Sequence, residues 1–156
     1  MAKIIKPPHP IETEGKPSVF LAGTIDNGQA ADWQAEVENS LGDQDIVILN
    51  PRREQWDSSW AQTIDNPQFK EQVDWELMGL DRADAIFMYF ASGSQSPITL
   101  LEFGLHAASG KVILVSPPGF WRRGNLEVVA ARYQVPLFEE IEAGLSCLAQ
   151  FWASSV

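Results

Sequence analysis

The chain has 156 residues, 45% of them hydrophobic and 21% charged, which is the length and composition of one soluble globular domain able to bury its own core. Its formal net charge of -10 disfavours duplex DNA or RNA as a partner, no apolar run is long enough to span a bilayer, and its single cysteine, Cys147, excludes an internal disulfide and a cysteine metal cluster.

Met1–Pro17 mixes lysine with Pro7, Pro8, Pro10 and Pro17 and has no apolar signal core. It reads as an extended tail ahead of one domain over 18–156, and with the lone cysteine it predicts a cytoplasmic location. Ser18–Gly23 is a short apolar strand ended by glycine, and 29–41 carries Ala30, Trp33, Val37 and Leu41 at helical spacing. Asp45–Leu49 predicts a second strand. The polar connection over 50–65 is too long for a routine turn, and such loops tend to be functional. Asn66 and Pro67 are a helix cap and first helical residue, predicting a helix to about Arg82 with Phe69, Val73, Leu77 and Leu80 inward.

Ala85–Phe90 is a continuous apolar strand of the kind covered on both faces. Ser96 and Pro97 predict another capped helix, reaching about Ser109 and stopped by Gly110. Lys111–Val115 is a fourth strand, 125–133 a short helix, Val135–Phe138 a fifth strand, and 139–152 a closing helix. Strands alternating with helices predict an α/β, three-layer doubly wound, flavodoxin-like fold of about five parallel strands. In such folds ligands bind beyond the carboxyl ends of the strands, here the loops after Gly23, Leu49, Phe90 and Val115.

Two acids stand where water is scarce. On a helical wheel Glu76 shares a sector with Phe69 and Leu80, so it points inward; the plain alternative is an edge residue paired with Arg82. Glu102 lies in Ile98–Leu105, whose neighbours are apolar or small around nearly the whole wheel. It falls three residues too late to be the capping-box partner of Ser96. A buried carboxylate without a partner costs several kcal/mol, so Glu102 calls for a compensating role. Two acids converging on one crevice suggest a nucleophile and a proton-handling partner, as in glycosidic chemistry.

Other signals are weaker. Gly23–Gly28 has phosphate-loop glycine spacing, but Gln29 and Ala30 stand where Lys and Ser or Thr are required. His9 and His106 lie apart, so no metal-ligand spacing exists, and Ser94 and Ser96 lack His and Asp partners. Trp33, Trp56, Trp60 and Trp121 are the candidates for a stacking wall.

The segments Phe20–Ile25, Asn50–Arg53, Trp75–Leu80 and, above all, Pro97–Gly104 (PITLLEFG) resemble the nucleoside 2-deoxyribosyltransferase family, over about Ser18–Tyr133. The resemblance implies a homo-oligomer that moves a 2-deoxyribosyl group between nucleobases through a covalent glycosyl-enzyme ester, without cofactor or metal. It makes Glu102 the nucleophile and places Glu76 where many members have an aspartate that handles the base proton. It places Gly23 and Thr24 in the turn beside the nucleoside, Gln55 and Trp56 as a glutamine–aromatic pair near the base, and Asn125 as a residue reaching the sugar in a neighbouring subunit's site. Ser96 departs from the pattern, since transferases commonly carry an acid there. A serine resembles the related 5′-monophosphate N-glycosidases, so N-glycoside hydrolysis is the second expectation. A non-catalytic nucleotide sensor, or a Glu102 that merely anchors a subunit interface, are the others.

Overall fold

The computed structural model describes residues 1–24, 32–53 and 57–153. Among these residues six strands form one all-parallel sheet: β1 (Lys3–Ile5), β2 (Ser18–Gly23), β3 (Val47–Leu49), β4 (Ala85–Tyr89), β5 (Val112–Val115) and β6 (Leu137–Phe138), in the spatial order β1-β3-β2-β4-β5-β6. The helices are α1 (Trp33–Leu41), α2 (Pro67–Arg82), α3 (Pro97–His106, continued by a 3-10 turn over Ala107–Ser109), α4 (Arg123–Tyr133) and α5 (Ile141–Ala153).

Because side chains alternate across a strand, each strand feeds two cores. Phe20, Ala22, Ile86, Met88 and Leu114 pack with Trp75, Leu80, Phe103 and Leu126 of α2, α3 and α4. Val19, Leu21, Phe87, Ile113 and Val115 pack on the opposite face with Trp33 and Val37 of α1 and Leu148 of α5. The result is the expected three-layer, flavodoxin-like α/β architecture, with a sheet whose strands are apolar on both sides.

Two corrections concern the edges and α2. The N-terminal segment is more than a tail: Lys3, Ile4 and Ile5 pair with Val47, Ile48 and Leu49, adding a sixth strand, and Ile5 and Ile11 enter the core. The inward face of α2 is centred on Gln72, Trp75, Gly79 and Leu80, while Leu77 and Met78 are exposed. Its cause is close approach. A Cβ on Gly79 would lie 2.7 Å from the Phe20 ring, so only glycine lets the helix settle there, and Trp75 packs its indole against the same ring at 6.0 Å. The Asn66 side chain caps Gln68 and Phe69 N–H groups ahead of Pro67, as read from the sequence.

The chain moves from β2 outward to β3, then returns across β2 to β4 and continues to β5 and β6. The direction of winding therefore reverses between β2 and β4, whose carboxyl ends define the crevice where a doubly wound sheet receives a ligand. Thr24 follows β2 there, and the β4–α3 connection, carrying Ala91, Ser94 and Ser96, follows β4.

Candidate active site

Thr24 stitches the two central strands together at that reversal. Its N–H donates to Tyr89 O at 3.1 Å, its Oγ1 accepts from Ala91 N–H at 3.1 Å, and its carbonyl accepts from the Trp33 indole N–H at 3.0 Å. Gly23, just before it, leaves no room for a side chain: a Cβ would stand 2.5 Å from both the Trp33 ring and Tyr89 O. Gly23→Ala should therefore destabilise the protein by about 1–3 kcal/mol through overpacking, read as a lower urea midpoint at unchanged slope. Trp33, a candidate stacking wall, is instead a buried strut against Phe87 and Tyr89.

Three hydroxyls meet on this support. Thr24 Oγ1 lies 2.6 Å from Ser96 Oγ and 3.2 Å from Ser94 Oγ, the two serine oxygens are 2.9 Å apart, and Ser94 also donates to Ala91 O at 2.7 Å. All three residues are buried. Ser96 occupies the cap position of α3, with Pro97 following as expected, but it corrects the reading of a side-chain cap. Its φ is +46°, and its hydroxyl makes no cap hydrogen bond. A non-glycine residue at positive φ is strained, and such strain tends to gather at functional sites. Here it turns the hydroxyl from its own helix toward Thr24.

Two turns into α3, Glu102 is only 7% exposed. Among the described residues no cation and no hydrogen-bond donor reaches it. Burial, and then the charge of Glu76, push its carboxyl up to about 8. Glu76, half-buried on α2, is also raised by burial, an effect partly offset by the Gln72 amide, whose Nε2 donates to Glu76 Oε1 at 2.9 Å. The expected alternative of an Arg82 partner is not realised: Arg82 reaches Ile11 O at 3.5 Å. The two acids singled out from the sequence are thus close enough for the charge of Glu76 to bear on Glu102, and among the described residues neither pairs with a base.

The loop after β3 is tied to α2. Gln72 Nε2 donates to Pro51 O at 2.8 Å, Arg53 pairs with Glu71 at 2.7 Å, and the Arg53 guanidinium lies 5.7 Å from the centre of the Trp60 ring. Gln55 and Trp56 lie outside the described residues, as does most of the glycine segment after Thr24. Asn125 stands exposed in the first turn of α4, and no hydrogen bond joins it to Glu102, Glu76, Thr24 or Ser96. Trp121 is exposed; its indole N–H donates to Gln95 O at 3.0 Å and its ring carries the Arg122 guanidinium at 4.4 Å. Sequence reasoning missed Gln72 and the part played by Ser94. Gln72 precedes Glu76 by four residues, a spacing that places the two side chains together on a helix.

Among the described residues no cluster of three His, Cys, Asp or Glu side chains is placed to hold a metal ion, and no helix is long and apolar enough to cross a membrane. No curated protein matches the sequence. Residues 16–120, about two thirds of the chain and the span that carries Thr24, Glu76, Ser96 and Glu102, match the family described as nucleoside 2-deoxyribosyltransferase like. With its winding reversal and unneutralised acid pair in that span, the chain belongs to the nucleoside 2-deoxyribosyltransferase-like family.

Proposed function

We propose that the protein transfers a 2-deoxyribosyl group from one nucleobase to another through an ester formed on Glu102. The observation that carries this reading is the buried Glu102 carboxyl on α3, the helix that follows β4, raised to about 8 by burial and by the charge of a second carboxyl, Glu76. Near neutral pH the pair's proton rests on Glu102, whose carboxyl is raised to about 8, while Gln72 favours the charge on Glu76. On reaction the proton passes by way of Glu76 to a ring nitrogen of the departing base. That transfer frees Glu102 Oε to attack C1′ as the C1′–N bond breaks. The base leaves neutral, Glu76 is ionised and the sugar is esterified. An incoming base reverses the sequence: its ring nitrogen attacks C1′, the ester bond breaks, and its proton returns to the pair. No cofactor or metal enters.

A second reading, hydrolysis of the N-glycosidic bond of deoxynucleosides or their 5′-monophosphates, is favoured by one observation. Ser96, which joins Thr24 and Ser94 in the hydroxyl cluster, stands where transferases of the family commonly place an acid. Hydroxyls can donate to a phosphate, whereas a carboxylate repels it. Water then takes the place of the second base.

Exposed Ile98, Leu101 and Leu105 form an apolar strip along the outer side of α3, the helix that carries Glu102. The strip supports a homo-oligomer in which Asn125 of one subunit serves its neighbour's site. A cytoplasmic location fits the free thiol of Cys147.

Incubation with deoxyinosine and free adenine, followed by chromatography, tests the reading. New deoxyadenosine is the expected result. Hypoxanthine and free deoxyribose without new nucleoside would replace transfer by hydrolysis, and saturable binding without products would make the protein a sensor. Repeating the assay with the 5′-monophosphate reports what the serine cluster selects.

A further inference from the structure

Gln72 lies one helical turn before Glu76 and is 7% exposed. Its Nε2 is 2.8 Å from Pro51 O and 2.9 Å from Glu76 Oε1. A backbone carbonyl can only accept, so the amide atom facing Pro51 must be the nitrogen. Both of its hydrogens are then committed, one to the β3 loop and one to the acid. The other end of the amide, Oε1, is buried and finds no partner among the described residues. A buried unsatisfied acceptor costs about 1–3 kcal/mol, so this orientation lowers stability while constraining Glu76.

We infer that Gln72 is a positioning residue for the proton step, clamping Glu76 to the loop after β3 and reserving Glu76 Oε2 as the atom that takes and gives the proton. Oε1, already accepting from an N–H, is the less basic of the two oxygens. Oε2, which no described donor engages, is therefore the oxygen that the proton favours. The inference rests on the proton role proposed for Glu76. The neighbouring charges are Glu102 on α3 and, in the loop, Arg52 and Arg53, which pair with Asp32 at 3.5 Å and Glu71 at 2.7 Å.

Carbon-13 carboxyl titration of glutamate-labelled protein tests the clamp without requiring turnover. Gln72→Met keeps the length and helix preference but removes the donor; Gln72→Leu, which likewise adds no charge, serves if the first variant does not fold. Loss of the hydrogen bond should raise the Glu76 midpoint by about one pH unit. In exchange assays kcat should fall about tenfold with KM within about twofold, and the acid limb of the rate profile should move up with the Glu76 midpoint. A Glu76 midpoint that stays in place in the folded variants, or a loss of activity with the acid limb unmoved, would overturn the inference and reduce Gln72 to a loop anchor. A shifted Glu76 in a protein without exchange activity would instead sink the transfer reading and leave the clamp standing.

Discussion

Glu102→Gln is expected to abolish base exchange and, at neutral pH, to make the protein more stable. Both effects come from one fact, a carboxyl held in a place that disfavours its charge. As nucleophile it has no substitute among the described residues, since Glu76 is committed to Gln72 and no described base reaches the serine cluster. Loss of exchange by at least about ten-thousandfold is therefore expected, the scale on which removal of an attacking group acts. Stability moves the other way. In the folded protein the group holds its proton up to about 8, whereas in the unfolded chain it releases it in the ordinary glutamate range.

Between those limits the native state binds more protons than the unfolded state, so this group makes stability fall as pH rises through the window. Its contribution is least unfavourable below the unfolded value and most unfavourable above about 8. The whole window amounts to a few kcal/mol, at about 1.4 kcal/mol per pH unit. Glutamine carries no charge and removes that slope. Urea unfolding at pH 5 and pH 8 should show wild type losing ground to the variant as the pH rises. Parallel curves for the two proteins would mean that Glu102 is not the strained group described above, and full exchange by the variant would end its assignment as nucleophile.

The parts of this arrangement that were legible in the sequence are those with a local physical signature. Asn66 and Pro67 announced α2 because a cap and a proline at the first helical position are read within two residues. Glu102 stood out because its neighbours are apolar on every side of the wheel, which no later packing could disguise. What escaped depends on contacts distant in the chain. The three residues of β1 are too few to carry a periodic signal, and they become a strand only because β3 offers an open edge. The buried face of α2 is turned away from Leu77 because Phe20, more than fifty residues earlier, fits only over Gly79. Ser96 looked like an ordinary cap because the sequence cannot show Thr24 waiting 2.6 Å from its hydroxyl. Wheel position and the family resemblance both pointed to the acid pair, but the raised Glu102 carboxyl follows from burial and from the charge of Glu76, and the Gln72 contact to Glu76 is recorded by no motif.

Glu76→Gln separates the two acids. Glu102 is raised first by burial and second by the charge of Glu76, and only the second cause disappears in this variant. The Glu102 midpoint should therefore fall from about 8 while staying above the ordinary glutamate range. Glu102 would then be ionised more readily, so a nucleophile limited only by its own proton would gain activity near neutrality. The proposed route demands the opposite, because the amide at position 76 can neither take the pair's proton nor hand it to the departing base. Exchange should slow by about a hundredfold to ten-thousandfold, the usual contribution of a positioned acid or base. The alkaline limb should move to lower pH, following Glu102, and the acid limb, which reports protonation of Glu76, should disappear. A donor base that leaves easily without protonation should recover much of the lost rate, because it bypasses the missing step. An unchanged profile, or equal loss with donors of good and poor leaving ability, would remove Glu76 from the proton path and leave its charge as a passive influence on its neighbour.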